Sequence, residues 1–367
     1  MVDNARVTAV RAAAYEIPTD APESDGTLEW NSTVLVICEV DAGGVTGLGY
    51  TYAHQAAVSL ISGKLAGIVK GRNAYDVRSA WAAMVHDVRN LGATGLAAMA
   101  ISAVDAALWD AKARLLGVPL VVALDAAHEV VPVYGSGGFT SYDDEQLSTQ
   151  LAGWVEQGIP RVKIKTGRDP DRDRHRLSVA RKTIGDDVDL YIDANGAFDA
   201  RRAIEWAHIA RGEFGVRWFE EPVSSDDLAG LRLVRDRAPG GVEIAAGEYG
   251  FAPWQLGAML EAGAVDCLQI DVTRCLGITG FLEAAGLADA MQVDVSAHCA
   301  PAMSMHACAA VRRLRHLEYF HDHTRIESML FDGVPAVEPG GVLRPDRDRA
   351  GNGLTFRDRD AERFQVA

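Results

Sequence analysis

From residue 131 onward, short apolar runs recur between longer stretches whose apolar positions follow a helical spacing. The runs are VPVYGSGG (131–138), RVKIK (161–165), VDLYIDAN (188–195), VRWFEEPV (216–223), EIAAGE (243–248), CLQIDV (267–272), VDVSAH (293–298) and HLEYF (316–320). Apolar runs this short, bounded by polar turns, read as buried strands. The stretches 142–157, 171–184, 200–213 and 252–263 lie between them and read as amphipathic helices. Ser141 is placed to cap the first of these helices and Gly158 to end it. Strands alternating with helices imply right-handed βαβ units and a parallel sheet. Eight strands with seven helices predict a closed (β/α)7β TIM-like barrel over residues 128–326, not an open doubly wound sheet.

Residues 1–127 follow another pattern and predict an α+β domain. Segments 7–17 and 33–40 read as strands, and the second returns through Asp41-Ala42-Gly43-Gly44 into 45–52, a hairpin signal. Helical stretches follow near 56–69, 75–88 and 94–116. The last is apolar around most of its surface, so it predicts a buried packing helix, stopped at Gly117-Val118-Pro119. Residues 19–30, TDAPESDGTLEW, are polar and poor in β-branched residues, and read as a loop, either a mobile lid or a solvated connection. The tail, 327–367, is rich in Gly, Pro and charge, and is expected to wrap back over the first domain.

Composition narrows the function. The chain has 367 residues, 48% of them apolar, and a formal charge of −15. Such a charge disfavours nucleic-acid and anionic-membrane partners but not a small anionic substrate, because a buried cation and a lysine or two reverse the potential locally. No run approaches the roughly 18 apolar residues of a membrane span. Cys38, Cys267, Cys275, Cys299 and Cys308 show no metal-binding spacing. With no signal-like start, reduced thiols and a cytoplasmic location are expected.

The chemistry lies at the strand ends. Lys165, Asp193, Glu220, Glu248, Asp271, His298 and Glu318 fall at or near the ends of successive runs, or within them, with gaps of 28, 27, 28, 23, 27 and 20 residues, about one βα unit each. A barrel gathers these ends on one rim, where active sites of this fold lie. Ionisable residues are otherwise rare in buried strands, and seven in register are hard to explain as structural ion pairs. Asp193, Glu220 and Glu248 sit on adjacent strands; three carboxylates suit a hard cation such as Mg2+, and no His or Cys stands at those ends to favour Zn2+. Asn195 points the same way as Asp193 and is placed to support the metal shell. Ala197 and Phe198 break a calcium-loop reading of D-A-N-G, and GSGGFT at 135–140 is no dinucleotide fingerprint.

Lys163 and Lys165 share one strand face, and neighbouring ammonium groups lower each other's pKa, which suits a base. A solvated edge strand also produces K-x-K, but the D-x-N and E-E-P elements that follow favour a site. Asp271 and His298 come from adjacent strands and are expected to form a dyad in which the carboxylate fixes the tautomer and raises the imidazole pKa.

The set K-x-K, D-A-N (Asp193, Asn195), F-E-E-P (Glu220), G-E (Glu248), I-D (Asp271) and S-A-H (His298) resembles the enolase superfamily, within it the mandelate racemase subgroup. The resemblance spans nearly the whole chain and implies that the N-terminal domain caps the barrel. It further implies a substrate carboxylate on Mg2+, Lys165 and His298 flanking its α-carbon, and Lys163 neutralising the carboxylate. Glu318 matches an acid that hydrogen-bonds the enolate oxygen, and Ser136 a substrate-contacting serine. The muconate-cycloisomerase type is disfavoured, because it carries a lysine where this chain has Asp271. Members with this Lys plus His-Asp equipment are mostly acid-sugar dehydratases. Dehydration is therefore expected ahead of racemisation or epimerisation. Polar residues of the 19–30 segment (Asp20, Glu23, Ser24, Asp25, Thr27), with Tyr50, Tyr52 and His54, suit a polyhydroxy acid. Trp30, Tyr52 and His54 are expected to contact the substrate from the cap. The expected partner is a small carboxylate, with the chain as a homo-oligomer.

Overall fold

The computed structural model describes residues 5–367; residues 1–4, at the start of the expected N-terminal domain, lie outside the described residues. Three antiparallel strands open the chain in the order β1 (Val7–Ser24), β2 (Glu29–Ala42) and β3 (Val45–Tyr52). The β2–β3 turn is tight because Gly43 and Gly44 both take positive φ, 55° and 86°.

Segment 19–30 is not a loop. It is the far end of the β1–β2 hairpin, with the turn confined to Asp25–Leu28, where Asp25 Oδ1 accepts the N–H groups of Thr27 and Leu28 at 2.6 and 2.7 Å. The prolines did not break the strand because β1 is the edge of its sheet, where a missing N–H costs no ladder bond. Pairing shifts between Pro18↔Ser32 and Glu23↔Trp30, five steps on β1 against two on β2, so β1 bulges by three residues around Asp20.

Helix Leu96–Leu116 packs its alanines on this sheet. A Cβ at Gly47 or Gly49 would meet Ala107 O at 2.1 Å or Ala103 O at 2.2 Å, so only glycine lets the helix backbone sit this close. Stretch 56–69 is helical but contains a π-helical turn at Ile61–Leu65.

The barrel strands are β4 (Val131–Gly137), β5 (Arg161–Lys165), β6 (Asp189–Asp193), β7 (Trp218–Glu220), β8 (Glu243–Ala246), β9 (Cys267–Ile270), β10 (Asp294–Ala297) and β11 (Leu314–Phe320). All eight run parallel, and β11 pairs with β4 to close the ring. Seven helices connect them, and helix His321–Leu330 follows β11. Tyr134, Tyr191, Trp218 and Cys267 are buried together inside the barrel. The cap of the first helix is Asp143, not Ser141: Asp143 and Gln146 form a capping box, whereas the Ser141 hydroxyl donates to Pro22 O at 2.6 Å. Gly158, at φ 80°, follows the helix end.

The tail returns to the N-terminal unit. Asn352 N–H donates to Asp110 Oδ1 at 2.6 Å, and Ala14 N–H to Ala367 O at 2.7 Å, while Val342–Leu343 adds an antiparallel strand to β4. Among the described residues, no helix is long and apolar enough to cross a membrane.

Candidate active site

Register on the barrel decides what meets at its mouth. Lys165 on β5 pairs with Asp193 on β6, which pairs with Glu220 on β7. Glu248 lies two residues past β8, turned inward by Gly247 at φ 136°, where a Cβ would meet Gln269 O at 2.2 Å. One ligand oxygen from each of the buried residues Asp193, Glu220 and Glu248 lies within 4.8 Å of the others.

A lysine or histidine flanks each outer carboxylate. Lys165 Nζ sits 2.6 Å from Asp193 Oδ2, and His298 Nε2 lies 3.0 Å from Glu248 Oε2. Apart from this contact Glu248 Oε2 has no hydrogen-bond donor. His298 Nδ1 bonds Asp271 Oδ2 at 2.7 Å. Lys163 Nζ bridges Glu220 Oε1, Glu318 Oε1 at 2.8 Å and Asp193 Oδ2 at 3.3 Å. The Ser136 hydroxyl donates to Glu318 Oε1 at 2.5 Å.

A cavity of about 680 Å³ opens over this constellation, and Lys165, Asn195, Glu248, Arg274, His298 and Cys299 line its floor. The capping unit supplies its other wall, with Trp30, Tyr52 and His54 among the lining residues. Asn195 Oδ1 and the Tyr52 hydroxyl are buried there without hydrogen-bond partners. Of the polar segment residues, Asp25 lines the cavity, whereas Asp20, Glu23, Ser24 and Thr27 do not. Tyr50 is buried elsewhere, donating to Glu327.

The description "Mandelate racemase / muconate lactonizing enzyme, N-terminal domain" matches residues 9–124, and "Enolase C-terminal domain-like" matches residues 146–361. The chain belongs to this family of the enolase superfamily. It is 32% identical to a 3,6-anhydro-alpha-L-galactonate cycloisomerase of Streptomyces coelicolor, over 95% of this chain and 96% of that one. A solved mandelate racemase/muconate lactonizing enzyme-like protein from Rubrobacter xylanophilus superposes with a TM-score of 0.96 at 53% identity, covering 98% of this chain and 100% of the other. L-talarate/galactarate dehydratase from Salmonella typhimurium LT2, solved with Mg and L-lyxarohydroxamate, superposes with a TM-score of 0.89 at 27% identity, covering 99% and 94%.

Within this family architecture, electrostatics differ from the sequence expectation at the lysines. Burial pulls both ammonium groups down, but carboxylates reverse the balance: Glu220 and Glu318 hold Lys163 up, and Asp193 holds Lys165 up. Burial likewise opposes the charge on His298, yet Cys299, Glu248 and Glu318 around it, with the Asp271 bond, raise it well above the ordinary histidine value. Burial pushes Glu220 up to about 8 against the pull of Lys163. Glu318 goes the other way: Lys163 and His298 outweigh its burial and hold it below the usual carboxylate range. Glu318 therefore accepts hydrogen bonds in this arrangement, and donating to an enolate oxygen would require it to take up a proton.

Sequence reasoning missed three contributors. Arg274 follows Asp271 by three residues and reaches Asp271 Oδ2 and Glu248 Oε1, each at 3.4 Å. Cys299 places Sγ 3.2 Å from His298 Nε2. Arg176, buried on a barrel helix, donates to Lys165 O and Gly138 O at 2.6 Å and props the ends of β4 and β5. Positive φ at Asn195, Glu221, Cys299 and Ala300 gathers at the same mouth; such conformations cost about 1–3 kcal/mol each and persist where surroundings enforce them.

Proposed function

We propose that this chain catalyses Mg2+-dependent removal of the proton α to the carboxylate of an acid sugar, with β-elimination of a hydroxyl to give a 2-keto-3-deoxy acid. The observation carrying this reading is that Lys165 and His298 line one cavity from either side of three buried, converging carboxylates. Asp193, Glu220 and Glu248 fit a hard cation, being all-oxygen, crowded, and left with an orphaned Glu248 oxygen. A Mg2+ held by these three residues would offset the carboxylate charge, including that holding Lys165 up, and would polarise the substrate carboxylate.

The protein's own groups do the rest. Lys163 supplies positive charge beneath the substrate carboxylate and Asn195 a polar contact, whereas Ser136 is buried off the cavity and its hydroxyl holds Glu318. One of Lys165 and His298 takes the α-proton as the C–H bond breaks, and the electron pair delocalises into the carboxylate as an enediolate. As that charge returns, the β C–O bond breaks and the hydroxyl leaves as water with a proton from the other residue. The enol then tautomerises to the 2-keto acid. Stabilising charge where it develops is the largest contribution expected of such a site.

Similarity to the S. coelicolor cycloisomerase supports a second reading, in which the departing β-oxygen belongs to a ring ether within the substrate. The dyad serves either leaving group. Screening mono- and diacid sugars and their anhydro forms with Mg2+ decides. A 2-keto-3-deoxy product from an open-chain acid supports dehydration, and turnover confined to anhydro acids supports ring opening. α-Epimer without keto product would point to racemisation.

A further inference from the structure

A second group of ligating side chains gathers where the β1 bulge meets the end of β11. Asp20, Glu23 and His321 each offer a ligand atom, and the three atoms lie within 4.8 Å of one another. Asp20 Oδ2 and Oδ1 stand 2.9 and 3.2 Å from His321 Nε2. Glu23 is fully buried, and although Trp30 Nε1 donates to its Oε2 at 2.7 Å, Oε1 has no partner. A buried carboxyl oxygen left without a donor or cation is destabilising. A cavity of about 580 Å³, lined by Asp20, Tyr142 and His321 among others, opens beside the group and gives a path in.

We propose that Asp20, Glu23 and His321 bind a transition-metal dication of the Zn2+ class, pinning the β1 arm to the rim of the barrel. Two carboxylates and an imidazole suit such an ion better than Mg2+ or Ca2+, which favour all-oxygen shells. The three-residue bulge turns Asp20 out of the ladder, and His321 stands at the start of its helix, 301 residues away in the chain. Binding bridges the two units and fixes Glu23, and through it Trp30, a wall of the substrate cavity.

The site is independent of the reaction assigned above and is tested without activity. Full-length protein saturated with Mg2+ is dialysed against Zn2+, and bound zinc is counted for wild type, Asp20→Asn and His321→Gln. Both substitutions fall on partly exposed side chains. The expected result is one fewer zinc equivalent in each variant, with a zinc-induced rise in Tm that is larger in wild type than in either variant. Equal zinc content in all three overturns the proposal. So does loss in His321→Gln alone, which marks a solitary surface histidine. Any zinc taken by the His298, Cys299 and Glu318 group is common to all three proteins and cancels.

Discussion

His298 Nδ1 lies 2.7 Å from Asp271 Oδ2, while Oδ1 of the same carboxylate is held at 2.6 and 2.7 Å by the Thr273 N–H and hydroxyl. Those donors fix which oxygen faces Thr273. In Asp271→Asn the amide oxygen keeps that position, so the NH2 faces His298 and forces the opposite tautomer. The fold and Mg2+ binding should survive, while kcat falls by roughly 10²–10⁴, the usual worth of a positioned acid or base. Steady-state kinetics beside a Mg2+ titration check this, and wild-type kcat would sink the dyad.

Lys165→Ala and His298→Asn should both abolish net turnover yet differ in D2O. The variant lacking the abstracting base loses α-proton exchange, and the variant lacking the acid retains it. NMR of recovered substrate distinguishes them. Near-wild-type turnover in both would remove the pair from the mechanism.

Glu220 is held by Trp218 Nε1 at 3.0 Å as well as by Lys163. Glu220→Gln keeps the shape but removes a charge from the carboxylate triad. Mg2+ should raise the Tm of wild type, since ligand binding stabilises by RT ln(1 + [L]/Kd), and should do so far less in the variant. Equal shifts in both proteins would place the metal elsewhere.

The Tyr52 ring stacks on His323 with centroids 3.5 Å apart, and its hydroxyl is buried without a partner in the cavity wall. Tyr52→Phe preserves the stack and deletes only that hydroxyl. KM for a polyhydroxy acid should rise several-fold, with Mg2+ affinity unchanged, and substitutions at Trp30 and His54 should shift preference among substrates. An unaltered substrate profile across all three variants would rule out the cap as a source of specificity.

Burial raises Glu327 to about 8, between Tyr50 of the N-terminal unit and the Ala302 N–H of the barrel. Its folded pKa exceeds the unfolded value, so its contribution is complete below about 4.5 and fades as pH rises through about 8. Glu327→Gln can still accept from Ala302 and donate to the Tyr50 oxygen. Between pH 6 and pH 9, urea unfolding should show a loss of stability larger in wild type than in the variant by on the order of a few kcal/mol. Parallel losses would place the titration elsewhere.

The barrel was legible because eight short apolar runs alternate with helical stretches, and its mouth because seven of those runs carry an ionisable residue that burial would otherwise forbid. The extended β1 arm was not. Thr19–Ser24 looks like a loop locally, yet Glu23 and Ser24 are 0% and 2% exposed because distant elements cover them. Window-based hydrophobicity carries no record of such burial. Arg274 and Cys299 escaped for another reason: they sit beside the strand-end residues rather than in register with them. The Asp143–Gln146 capping box was readable, but Ser141 offered an equally plausible cap two residues earlier.

One wall of the substrate cavity is built from paired strands, and this has a consequence for how the enzyme diverges. Along a strand, successive side chains point to opposite faces, so inserting or deleting one residue between Thr33 and the arm's tip turns every residue beyond it over. Trp30 would swing out of the cavity and a neighbour would swing in. Lineages that keep this arm should therefore retune it by replacing side chains in place or by changing its length in steps of two. Odd steps should survive only where a bulge restores the parity, and the β1 strand already carries such a bulge opposite that stretch.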